Sequence, residues 1–132
     1  DVGVDMKIEQ LEFGKLLADL NSHNFVALRI GWSGRPDPDG NAHAFLHSKG
    51  GLNRVRYSNP KMDELLDAAR SEGDQAKRKA LYAQVTRIAA EDVPYIWIHH
   101  DAEVKVWGDQ VKGFEHISDG MIRVKGVWLD KK

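Results

Sequence analysis

The feature that most constrains this chain is the stretch Gly31–Asn41, GWSGRPDPDGN, which follows an apolar segment and carries prolines at 36 and 38. Each proline fixes φ and removes a backbone donor, and each disfavours helical geometry in the residue before it, here Arg35 and Asp37. The segment is therefore expected to be a stiff loop, neither helix nor inner strand, with polar side chains held outward. Loops at the carboxyl ends of strands are where open α/β sheets place their ligands. Two readings of Trp32 stand side by side: a binding surface, or a plug at the edge of a core.

The residues before the loop read as a βαβ unit. Val4, Met6 and Ile8 alternate with Asp5, Lys7 and Glu9, the period-2 pattern of a strand with one buried face. Phe13, Leu16, Leu17 and Leu20 follow at helical spacing, and Phe25–Ile30 is nearly all apolar, as a central strand should be. The two strands are expected to be parallel with a right-handed crossover.

Beyond the loop, Ala42–His47 is expected to form a short helix ended by Gly50 and Gly51. Asn59 before Pro60 opens another, with Met62, Leu65, Leu66 and Ala69 on its inner face. Gly73 is a candidate left-handed stop, and Asp74 a cap for a helix to about Glu91 with Leu81, Val85, Ile88 and Ala89 inward. Strands are expected at Tyr95–His99, Val104–Val106 and Met121–Leu129. The fold class is thus α/β, a mixed sheet with a βαβ unit and a helical hairpin.

A net charge of −1 removes the electrostatic case for nucleic acid or an anionic membrane surface. With no cysteine there is no disulfide framework and no thiolate site, and no apolar run approaches the roughly 20 residues of a membrane helix. The N-terminal residues lack the basic start and apolar core of a signal peptide and read as mid-domain sequence.

Several clusters carry possible chemistry. His43 and His47 lie at i, i+4, so a helix would turn both imidazoles to one side. A zinc hydrolase would want glutamate after the first histidine, where this chain has Ala44. Asp37, Asp39 and Asn41 imitate the opening of a calcium loop, but Ala42 and Ser48 stand where glycine and glutamate are required. His99, His100 and Asp101 have the composition of an acid–base group at a strand end, without a nucleophile at a recognisable spacing. Lys77–Lys79 reads as a solvated helix face. No metal or cofactor is expected.

The ordered set GW and DPDG (31–40), YSNPKMDELLDAAR (57–70) and KRKALYAQVTRIAAEDVPYIWI (77–98) resembles the C-terminal portion of extracellular solute-binding proteins of the dipeptide/oligopeptide ABC-transporter family. The similarity extends from GVDMKIEQLEF (3–13) to KGVWL (125–129). It implies one part of a two-lobed periplasmic-binding-protein-like fold: the second half of the distal lobe (about 1–100) and a returning C-terminal segment (about 101–132). It further implies a non-enzymatic, periplasmic or extracellular component that closes two lobes on a peptide or similar solute and delivers it to an ABC permease. Peptide-binding members carry an aspartate for the ligand's amino group three residues after the tryptophan; here that residue is Arg35, which suits a carboxylate and repels an ammonium. The ligand-binding residues the resemblance implies are Trp32, Ser33, Gly34, Arg35 and Asp37, with Asp37 a possible substitute for the amine-binding acid.

Two alternatives come from other classes. One is a small metal-dependent hydrolase using His43, His47 and Asp39. The other is an interaction domain that self-associates through apolar surfaces around Tyr95, Trp97, Trp107 and Trp128.

Overall fold

In a computed structural model, residues 2–99, 102, 104–117 and 120–130 are described. By its internal contacts the chain divides into two units, Asp1–Ile30 and Gly31–Lys132.

The first unit holds one helix, α1, Phe13–Ser22, capped by Glu12, whose carboxylate accepts the Lys15 N–H at 3.2 Å. His23 closes it in left-handed geometry (φ 57°), its N–H turned back to the carbonyls of Asp19 and Leu20. The expected strands on either side are absent, so the βαβ unit is not formed among the described residues of this chain. The alternation at Val4, Met6 and Ile8 is real, but all three side chains are exposed, as is Val26 in the second segment. A strand exists only as a pairing, and a pattern that prepares one face for burial does not supply the neighbouring strand. The residue α1 buries is Asp19, held by Lys15 and by Asn24 Nδ2 at 3.2 Å. The Lys15 bond, followed by that from Asn24, keeps its carboxyl below the usual range.

The second unit is built on three helices: α2 (Pro38–Leu46), α3 (Pro60–Ser71) and α4 (Gln75–Asp92). α3 begins where its sequence requires, with Asn59 Oδ1 accepting the N–H groups of Lys61 and Met62 and with proline in the first turn. Asp74 caps α4 in the same manner, through Lys77 N–H at 2.8 Å. Between them α3 ends at Glu72 in extended geometry, so Gly73 is not the left-handed stop expected. α3 packs on α4 and on α2. Leu46, Met62, Leu65, Leu66, Val85 and Ala89 form the core, flanked by Phe45, Tyr57, Leu81, Tyr82, Ile88 and Tyr95. Burying each of the larger aliphatic groups contributes roughly 1.5–3 kcal/mol.

α2 starts four residues earlier than expected because Asp37-Pro38 repeats the Asn59-Pro60 device, an Asx cap followed by proline at the first helical position. The rule that excludes proline from helices does not apply there, since the first N–H groups have no intrahelical acceptor to lose. Gly50 then folds back on the end of α2: a Cβ there would lie 2.4 Å from the Ala44 carbonyl oxygen.

Among the described residues the mixed sheet reduces to two short antiparallel strands, β1 (Val111–Lys112) and β2 (Trp128–Leu129), with Val111 opposite Leu129 and Lys112 opposite Trp128. Tyr95–His99 and Val104–Val106 form no strand in the described residues, and Met121–Val127 lies outside β2. Ile96, Ile98, Val104, Val106, Ile122 and Val124 are all exposed, so these segments have strand composition but no sheet to join. No helix is long and apolar enough to cross a membrane among the described residues.

Candidate functional site

Within the second unit the loop 31–37 and the first turn of α2 are organised by one residue, Asn41. Its Oδ1 accepts the Trp32 indole N–H at 3.1 Å and the Arg35 backbone N–H at 2.7 Å, while its Nδ2 donates to the carbonyls of Arg35 and Asp37. One amide thus satisfies three backbone groups of the loop and the indole N–H. Gly34 takes a positive φ of 67°, a left-handed backbone geometry that glycine adopts without steric cost.

Trp32 meets both of its readings halfway. One edge packs on the core residue Phe45, with ring centroids 4.9 Å apart, yet 47% of the residue remains exposed. The Arg35 guanidinium lies over that indole, 4.7 Å from the ring centroid, and donates to Ser33 Oγ at 3.1 Å and to the Gly34 carbonyl at 2.6 Å. Trp32, Ser33 and Arg35 are therefore exposed together around the half-buried Gly34, and the group carries a positive charge. Among the described residues no carboxylate forms a salt bridge with Arg35.

The two aspartates of the loop are used differently. Asp37 takes a bidentate pair from Arg78 at 2.7 and 2.9 Å, and also accepts the Asp39 N–H as the cap of α2. The Arg78 bonds, followed by that N–H, hold its carboxyl down to about 2. Asp39 is gripped in turn by Arg70 at 2.9 and 3.0 Å. Both acids tie the loop to α3 and α4. Arg78 belongs to the run read as a solvated face, and its partner lies 41 residues away, so nothing local in the sequence announces the pair.

The arrangement also corrects the hydrolase grouping. Asp39 is committed to Arg70, and the carboxylate that meets His43 and His47 is Asp67 on α3. The imidazole Nε2 atoms lie 3.3 and 3.5 Å from Asp67 Oδ1. Of the other histidine group, His100 and Asp101 lie outside the described residues. Of the aromatic surface that the interaction-domain alternative would use, Tyr95 is packed against the core while Trp97, Trp107 and Trp128 are exposed. An apolar concavity lined by Trp107, Val111, Phe114 and Val124 lies in the C-terminal segment, apart from the loop residues.

No protein-family model matches the chain. It is 29% identical over 98% of its length to the oligopeptide-binding protein AppA of Bacillus subtilis, of which it covers 25%. It is 28% identical over 98% of its length to the dipeptide-binding protein DppE of the same organism, covering 24% of that protein. To a dipeptide-binding protein of Pseudomonas aeruginosa it is 31% identical over 86% of its length, covering 22%. The chain spans about a quarter of the length of these relatives. The likeness carried by its ordered motifs is thereby borne out: along nearly its whole length, this chain is a homologue of oligopeptide- and dipeptide-binding proteins.

Proposed function

We propose that this chain is part of the substrate-binding component of an ABC importer, which captures a peptide or similar small polar solute between two lobes and passes it to a membrane permease. The observation that carries the reading is similarity to peptide-binding proteins over 98% of the chain. The role is binding and not catalysis, and the place of action is the periplasm or the extracellular face.

In this reading Trp32, Ser33, Gly34 and Arg35 form one wall of the solute cleft. Trp32 offers apolar area, and Arg35 offers a guanidinium already oriented by Ser33 and Gly34, with donors to spare for a ligand carboxylate. Asp37 leaves the ligand set, because its two oxygens serve Arg78 and the cap of α2. The loop therefore favours an anionic group on the solute over a free ammonium.

Calorimetric titration of di- to pentapeptides, each with free and amidated carboxyl ends, into a two-lobed protein carrying this chain tests the assignment. Arg35→Ala is expected to weaken binding of the free acids by roughly tenfold or more, as losing a charge-assisted hydrogen bond of about 1.5–3 kcal/mol requires. Unchanged affinity would remove Arg35 from the cleft. The 132-residue chain alone should bind the same peptides weakly; tight binding by it would contradict closure between two lobes.

A further inference from the structure

The donor atoms of His43, His47 and Asp67 all lie within 4.8 Å of one another, although Asp67 is 24 residues from His43 in sequence. The separations from the shared Asp67 Oδ1 are 3.3 Å to His43 Nε2 and 3.5 Å to His47 Nε2. Ligands about 2.0–2.1 Å from a tetrahedral zinc ion stand about 3.3–3.4 Å apart, so packing of α2 on α3 already sets two edges of such a shell.

We propose that His43, His47 and Asp67 bind one zinc-class divalent transition-metal ion. Two imidazoles and one carboxylate form a mixed nitrogen and oxygen set that suits zinc and its neighbours, whereas calcium and magnesium take oxygen shells. Exposure of the three side chains is graded, 7% for His47, 14% for His43 and 64% for Asp67. The ion enters from the Asp67 side, and its fourth position faces water.

Binding must displace a contact that His47 already makes. The Lys49 backbone N–H donates to His47 Nδ1 at 2.9 Å, which leaves the imidazole proton on Nε2, facing Asp67. An ion at Nε2 takes the place of that proton, which moves to Nδ1; the ring turns from Lys49 and one backbone hydrogen bond is exchanged for a metal bond. The imidazoles, now stacked with centroids 4.4 Å apart and planes 17° from parallel, open edge-on toward the ion. The carboxylate of Asp63 stays with the Ser48 N–H and hydroxyl throughout. This exchange makes the site weaker than a preformed structural zinc centre, with micromolar affinity expected.

Titration of Zn²⁺ into the metal-free 132-residue chain, with Co²⁺ absorption as a second readout, tests the site. The expected result is one equivalent bound, intense tetrahedral Co²⁺ bands, and at least a tenfold loss of affinity in both His43→Gln and Asp67→Asn. Those two variants carry the test because His47 sits in the packed interior and its replacement can unfold the helices. Absence of one-equivalent binding, or undiminished affinity in either variant, overturns the three-residue site.

Discussion

Helix α3 buries Met62, Leu65, Leu66 and Ala69 against its neighbours, whereas α1, whose apolar residues are spaced as regularly, leaves Phe13 63% exposed and buries an aspartate. The spacing in each case defines a stripe. Only α3 is met by complementary stripes within its own unit, from α2 and α4. Amphipathicity states which side of a helix is ready to be covered and says nothing of what covers it. The same holds for the described residues of 104–130, where a strand-like composition yields four residues of sheet.

The sharpest way to break this contrast is a matched pair of truncations. Leu66→Ala, at a position with no exposed surface, should cost about 2–5 kcal/mol by urea unfolding, while Phe13→Ala should stay within about 0.5 kcal/mol. Comparable losses at both sites would mean that α1 is covered as α3 is. Next in size, Gly50→Ala drives a methyl onto the Ala44 and His43 carbonyls, which are backbone and cannot swing aside; a loss of about 1–3 kcal/mol is expected. Gly51→Ala has open space around it and serves as the control.

Capping gives a smaller version of the comparison. Asn59→Ala removes the cap of α3 and a bond to Asp92, and should lower stability by about 1 kcal/mol; Glu12→Ala at the start of α1 should lose less, its bond to Lys15 being long and exposed. The smallest effect is one of pH. Asp37 titrates near 2 when folded, below the ordinary carboxylate value of about 3.9, so its pairing with Arg78 stabilises fully above that value and is lost as pH falls through about 2. Thermal melts of the parent protein should therefore fall more steeply from pH 4 to 2 than those of Asp37→Asn. The side chain is 58% exposed, so salt should shrink the difference; parallel curves at low salt would show that the pair is not formed in solution.

The helical hairpin was legible because its signals are local. An Asx-Pro start, a stripe at i, i+3, i+4 and i+7 and a second cap each act within one turn; of the residues named from spacing, Met62, Leu65, Leu66, Val85 and Ala89 pack together in the core, Leu81 and Ile88 flank it, and Ala69 is buried outside that cluster. The start of α2 is as local, carried by Asp37-Pro38, but Pro36 two residues earlier gives the same stretch the composition of a loop. In the candidate site, the stiff loop was legible from its prolines, but the sequence leaves open whether Trp32 is surface or plug, and only the packing of one indole edge on Phe45 decides that it is partly both. Asn41 as its organiser, Arg70 and Arg78 as sinks for its acids, and Asp67 beside the histidines did not follow, because each joins residues from different helices or across a turn.

What the amino-acid order determined alone is where helices begin, which stripe each presents, and that residues 31–37 hold a tryptophan and an arginine on a stiffened turn. Those outcomes depend on φ restriction, capping and spacing, whose reach is a few residues. Which charges are consumed and which stay available was decided by tertiary structure. An ion pair or a ligand shell requires approach to within about 4 Å, and in this chain it is the packing of α2 against α3, and of α3 against α4, that brings distant side chains so close.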